Sequence, residues 1–280
     1  MDNRDRAFLR DVTNFTFMNH VATAYALQDA FINPLPVARL TEDSLESPKQ
    51  IAVTEVSPYI KKTQSIMVTK IFAELMSAYE DLGALCSAIR HRAKHGIFER
   101  YFRSSVREAD SFLREIYNND LLNASKQNLE LSTVLRLPPI SDFANNISAE
   151  DLSNFKYDYL EIPKRLYGVA EEYCATLDSM DAILPQNANN ANSVPIILST
   201  ENNPQSLRLT VAFNKVKHRF MASENIFAYD DPSRDRLIYG TLSAKPKDIK
   251  MRINNTITVS RVIGEIASLL LVLDEIGINI

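Results

Sequence analysis

SPYIKKTQSIMVTKIFAELMSAYEDLGALCSAIRHRAKHG, residues 57–96, decides how the rest of the chain is read. Ser57-Pro58 supplies a side-chain cap and then a proline at the first helical position, where a missing backbone N–H costs nothing. Met67, Ile71, Leu75, Ala78, Leu82, Leu85 and Ile89 recur at spacings of four and three. On a 3.6-residue period that pattern keeps them on one face for more than about five turns. The stretch closes on Arg90-His91-Arg92-Ala93-Lys94-His95-Gly96. Cations in a last turn meet the negative end of the helix dipole, and Gly96 suits the left-handed residue beyond a helix end. A stripe of this length needs other long helices to cover it.

The flanking sequence supplies them. Residues 4–31 carry a stripe of Phe8, Val12, Phe15, Asn19, Ala22 and Ala26, closed by Asn33-Pro34. Residues 34–57 are acidic and rich in proline, an irregular connection. A third helix is expected over 97–118, with Phe98, Phe102, Val106, Ala109, Phe112, Leu113 and Ile116 inward. Residues 119–147 form a second irregular connection, with a short helix within 125–135. Ser148 with Asp151 three residues later reads as a capping box. It opens a helix striped by Leu152, Phe155, Tyr159, Ile162, Leu166, Val169, Tyr173, Leu177, Met180 and Leu184, which Pro163 should kink or split.

Residues 186–203, rich in Asn and Ala at their start, read as a linker, and 204–221 as a helix. Residues 225–229 and 236–242 are β-branched and aromatic runs joined around Asp230-Asp231-Pro232-Ser233, a hairpin signal over 225–243. The last helix runs over about residues 250–276, striped by Ile253, Ile257, Val262, Ile266, Leu269, Leu273 and Ile276. The expected fold is therefore all-α: a single domain, 1–280, of five to six long helices in a bundle, with a small β-hairpin inserted before the C-terminal helix.

Composition agrees with that class. The 280 residues are 45% hydrophobic and 24% charged, with only 6 glycines and no Trp. Scarce glycine argues against phosphate-cradling loops, and there is no Walker motif, no Gly-x-Ser-x-Gly and no His-Glu-x-x-His. The net charge of −4 supplies no global basic field, so an anionic polymer would need a local patch. Cys86 and Cys174 sit among apolar helical neighbours and are expected as reduced, buried thiols. His20, His91, His95 and His218 show no zinc spacing, so neither metal nor cofactor is expected. Met1 to Arg6 lacks the apolar core of a signal peptide, and no stretch reads as the roughly 20 apolar residues of a membrane span. The expectation is a cytoplasmic protein with no membrane partner.

Two strings carry chemistry. In Phe213-Asn214-Lys215-Val216-Lys217-His218-Arg219-Phe220, helical spacing sets Asn214 and His218 side by side on the stripe of Leu207 and Val211. Lys215, Lys217 and Arg219 flank them. An imidazole able to move a proton beside cations able to hold a phosphate suits RNA-backbone chemistry. The structural alternative is that Asn214 and His218 bond helix ends or the hairpin behind them. The second string is Arg90, His91 and His95, for which the alternative is a solvated basic helix end. Asp230-Asp231-x-x-x-Asp235 reads as turn chemistry. Glu171-Glu172 has no His partner for a di-metal site.

Arg90-His91-x-x-x-His95 resembles the HEPN superfamily pattern of an Arg, a polar residue and then a His. The Phe213 to His218 string separately resembles an Asn-Lys-x-Lys-His string of HEPN-like bacterial proteins. The resemblance implies a helical bundle and a metal-independent endoribonuclease, or an inactive relative, of toxin–antitoxin or phage-defence type. His218 would then take the proton of the attacking 2′-hydroxyl, with Lys215, Lys217 or Arg219 stabilising the phosphorane. It also implies RNA and a cognate protein as partners. Such sites usually assemble across a homodimer, for which the apolar final helix offers an interface. The reading of a different class is a non-catalytic helical interaction or regulatory protein.

Overall fold

A computed structural model describes residues 1–34, 57–118, 130–142, 149–178, 193–199, 238–278 and 280. Most of these residues are helical. The helices are α1 (Asn3–Asp11), α2 (Phe17–Ile32), α3 (Ser57–Arg90), α4 (Gly96–Arg103), α5 (Val106–Asn118), the short α6 (Leu131–Val134), α7 (Ala149–Asp178) and α8 (Pro246–Glu275). Two strands, β1 (Ser193–Ser199) and β2 (Ile238–Ser243), pair antiparallel. By its contacts the chain forms two compact units. One comprises Met1–Val21, Ser77–Thr176 and Ile257–Ile280, the other Ala22–Met76 and Leu177–Thr256.

The long stripes hold. Every residue of the α3 stripe from Met67 to Ile89 is buried, as are Phe155, Tyr159, Ile162, Leu166, Val169, Tyr173 and Leu177 of α7. α7 runs through Pro163 without being split. The carbonyl that loses its partner there belongs to Tyr159, one hydrogen bond in a helix of 30 residues.

Three stripes needed correction, two of them at a break in helical phase. Between α1 and α2, Val12–Thr16 winds as a π-helix. Its wide turn takes up one extra residue, so the inward face after it advances by one. His20 and Ala24 are buried, whereas Phe15, Asn19, Ala22 and Ala26, expected inside, are exposed. The expected single helix over 97–118 is broken at Ser104-Ser105. Ser104 turns extended, and Ser105 opens α5 through a reciprocal capping box: Glu108 N–H donates to Ser105 Oγ at 3.2 Å and Ser105 N–H to Glu108 Oε2 at 2.8 Å. Phe102, expected inside, is therefore 69% exposed, while Ala109, Phe112, Leu113 and Ile116 are buried. In α8 the buried face runs Ile249, Ile253, Thr256, Val259 and Val262, so Ile257, expected inside, is only half-buried, and the expected stripe resumes from Val262 to Leu273.

Two further expectations changed. The strand partner of Ile238–Ser243 is Ser193–Ser199, inside the stretch read as a linker, with Val194 opposite Leu242 and a bulge between Ile197 and Ser199. Residues 200–237 separate the strands, so the sheet is closed by a long-range pairing. The expected first strand, 225–229, lies outside the described residues. Second, α8 is long and apolar enough by length and composition to cross a membrane, with a window of mean hydropathy 1.8, where the sequence reading found no such stretch. That window is 56% buried inside the protein, as in a core helix.

In the first unit, α1 is tied to the chain's last helix. Arg6 donates from Nε to Asp274 Oδ2 at 2.5 Å and from Nη2 to Oδ1 at 3.3 Å. The Arg6 guanidinium holds the Asp274 carboxyl down at about 2, against an ordinary 3.8. A carboxyl depressed on folding stabilises the folded state above its unfolded pKa, and that contribution fades as pH falls through the folded value. Asp274→Asn is thus expected to lower the urea midpoint at pH 7, with the gap to wild type closing between about pH 4 and pH 2. A gap that stayed constant across that window would remove Asp274 from the acid response.

Candidate functional site

The string from Phe213 to Phe220, with Asn214, Lys215, Lys217, His218 and Arg219, lies outside the described residues. So does Asp230 to Asp235. The second string, at the end of α3, is described: Arg90 and His91 are committed to holding the chain together, while His95 is exposed. Arg90 Nη1 and Nη2 each donate to a carboxylate oxygen of Glu115 on α5 at 2.8 Å, and the guanidinium lies 5.3 Å from the centre of the Phe112 ring. The Arg90 hydrogen bonds hold the Glu115 carboxyl below its ordinary range. Charge-assisted bidentate pairing of this kind fixes angle as well as distance, so it locks α3 to α5.

His91 and Arg92 complete the helix end. His91 Nδ1 donates to the Ser87 carbonyl at 2.9 Å, which also accepts from the His91 backbone N–H at 3.1 Å. Arg92 donates to the Ile89 carbonyl at 2.7 Å and, from Nη2, to the Arg136 carbonyl at 2.9 Å. Burial lowers the Arg92 pKa. Arg136 sits at φ 54°, in the left-handed region, and Leu137 N–H reaches back to the Leu131 carbonyl at 3.3 Å. The left-handed Arg136 thus closes α6, and Arg92 clamps its carbonyl. His95 is exposed and directly precedes Gly96, whose φ is +76°. Gly96 does turn left-handed, and it starts α4. Asp5 lies over it: Phe98 N–H donates to Asp5 Oδ1 at 2.8 Å, and a Cβ on Gly96 would stand 3.0 Å from that carboxylate.

A second constellation escaped the sequence reading. His20 on α2 and Tyr101 on α4 converge on Asp81 of α3. His20 Nε2 lies 2.9 Å from Asp81 Oδ2, and Tyr101 Oη lies 2.9 Å from Oδ1. A carboxylate can only accept, so the imidazole N–H and the phenol are the donors. The His20 side chain is 4% exposed and that of Asp81 30%. Burial, with the Asp81 charge behind it, pushes the Tyr101 hydroxyl well above its ordinary pKa and keeps it a donor. Asp81 faces an open depression of about 590 Å³ whose other walls are Phe15, Thr16, Met18 and Asn19. Phe15 and Thr16 end the π-helical turn, and Met18 and Asn19 follow it. Its extra residue turns Phe15 and Met18 outward, 69% and 54% exposed, and brings His20 inward.

His20 was visible in the sequence as a histidine next to the expected stripe. The one-residue shift that brings it onto Asp81 was not. Among the described residues no group of three or more His, Cys, Asp and Glu side chains is placed to hold a metal ion. No protein-family model matches the chain, and neither characterised proteins nor solved structures yield a match.

Proposed function

We propose that this is a HEPN-like helical protein that cleaves RNA without a metal, of toxin or phage-defence type, with its chemistry in Asn214 to Arg219. What supports the reading is the occupation of the competing string. Arg90 is held by Glu115, His91 by Ser87 and the neighbouring Arg92 by three carbonyls, while His95 is exposed. That leaves the string from Asn214 to Arg219 as the place for a base beside cations. His218 takes the proton of the attacking 2′-hydroxyl with Asn214 beside it, and Lys215, Lys217 and Arg219 hold the charge of the phosphorane. The finer architecture belongs to the same proposal: a bundle of five to six long helices, paired as a cytoplasmic homodimer through the final helix, acting on RNA and held by a cognate protein.

The second reading is a non-catalytic interaction or regulatory protein in which Asn214 and His218 are structural. It is favoured by the same observation in another light: the polar clusters around Arg90 and Asp81 are used within the chain. One experiment separates the two. Single-stranded RNA is incubated with the protein in EDTA, alongside a His218→Ala variant whose melting is followed in parallel. The ribonuclease reading expects cleavage that falls about 10²–10⁴-fold in the variant with unchanged melting. No cleavage by wild type, with a lower melting temperature for the variant, sinks it and favours the structural role.

A further inference from the structure

We infer that the depression at the π-helical turn binds a small organic ammonium ion, an amine carried on an apolar or aromatic body, with Asp81 as its counter-ion. The proposal does not depend on the RNA reading and concerns a different set of residues.

The cavity comes first. At about 590 Å³, it falls within the size range of small-molecule sites, and it opens to solvent; Phe15 and Met18 supply its apolar wall, and Thr16, Asn19 and Asp81 its polar one. The polar groups here share one property. Asp81 offers a carboxylate, Thr16 a hydroxyl and Asn19 an amide, each with an oxygen that accepts. The anionic group among them is fixed in place. His20 and Tyr101 each occupy one lone pair of Asp81, one per oxygen, and arrive from two other helices, so the carboxylate cannot rotate away. A carboxylate has about four acceptor sites, and these two hydrogen bonds leave the others for a ligand.

An anion would be repelled by Asp81, and a neutral apolar molecule would leave its remaining lone pairs without a donor. An ammonium group carries three donors and a positive charge, which matches both requirements. Phe15 adds a ring at the wall, where an aromatic face attracts a cation and also covers the apolar body of the ligand. The local helix geometry fits a built site. A π-turn gives up regular i to i−4 bonding, and such turns recur at functional positions because they re-aim side chains. Here the same turn produces both the inward His20 that holds Asp81 and the outward Phe15 and Met18 that rim it.

The test uses the full chain and phenethylamine as the probe, with 2-phenylethanol as its neutral counterpart, followed by ligand-detected NMR titration at low salt. Wild type is expected to bind phenethylamine saturably and at least about tenfold more tightly than the alcohol, the size of one charge-assisted contact. Asp81→Asn is expected to lose about tenfold or more. Because that change also alters the partners of His20 and Tyr101, two variants at exposed positions accompany it. Phe15→Ala should weaken binding severalfold, and Asn19→Lys should abolish it by placing a resident ammonium in the depression, both with unchanged circular dichroism. The inference is overturned if wild type shows no saturable binding up to about 10 mM, if the alcohol binds equally, or if Asn19→Lys binds like wild type.

Discussion

Gly83→Ala is expected to destabilise the protein by about 2 kcal/mol, although alanine is the better helix former. Gly83 lies in the middle of α3, where replacing glycine would ordinarily gain up to about 1 kcal/mol. Here a Cβ would stand 2.7 Å from Ala109 Cβ and 2.8 Å from both Ala109 Cα and its carbonyl oxygen. Two of those three atoms are backbone, so no rotamer relieves the overlap and α3 must move off α5. Overpacking of a core costs about 1–3 kcal/mol, and contact with rigid backbone places this site at the upper end before the helix-propensity gain is subtracted. The same interface carries the Arg90–Glu115 pair, whose geometry would be disturbed as the helices part. Urea unfolding measures the loss. Gly83→Ala with Ala109→Gly should recover only part of it, since the Cα and carbonyl contacts remain. A Gly83→Ala protein as stable as wild type would mean that α3 and α5 do not cross this closely.

Asp110→Ala is expected to cost about 2–4 kcal/mol, because it removes the acceptor at the centre of a buried polar cluster. Asp110 is 8% exposed in its side chain and accepts from Arg114 Nε at 2.9 Å, one turn along α5. Across the unit it accepts from the Tyr173 hydroxyl of α7 at 2.5 Å, a fully buried contact. Tyr173 in turn packs edge-on against Tyr79 of α3, ring centres 5.0 Å apart. Burial and the hydrogen bond to Asp110 push the Tyr173 hydroxyl far above its ordinary range, so it remains a donor at any ordinary pH. Without Asp110 that donor stays buried and unpaired, which accounts for most of the expected cost. Arg114 is 32% exposed and can turn to water. Tyr173→Phe should therefore cost less alone than Asp110→Ala does, and in the double variant the two losses should add to less than their sum. Strict additivity would show that the 2.5 Å contact carries no coupling.

The candidate sites were legible in unequal measure. The basic end of α3 could be read because helix-dipole chemistry predicts cations there, and Arg90, His91 and Arg92 indeed serve helix ends and the α3–α5 contact. What the sequence lacked was the identity of the partners, Glu115 and the Arg136 carbonyl, which lie 25 and 44 residues away. Asp81 was less visible still. It reads as an ordinary acid on the polar side of a long helix, and nothing local marks it as the meeting point of His20 and Tyr101, 61 and 20 residues distant.

By itself the sequence determined the buried faces of α3 and α7. Each stripe is a local pattern repeated many times, so single exceptions do not change which side turns inward; Met67 to Ile89 and Phe155 to Leu177 are the cases. Tertiary structure decided everything that hangs on one residue of phase or one distant contact. The π-turn that exchanged Asn19 for His20, the capping box of Ser105 and Glu108 that turned Phe102 outward, and the pairing of Ser193–Ser199 with Ile238–Ser243 are of that kind. Each depends on a free-energy difference at a single position, which no repetition along the chain reinforces, and packing against a remote segment is large enough to set it.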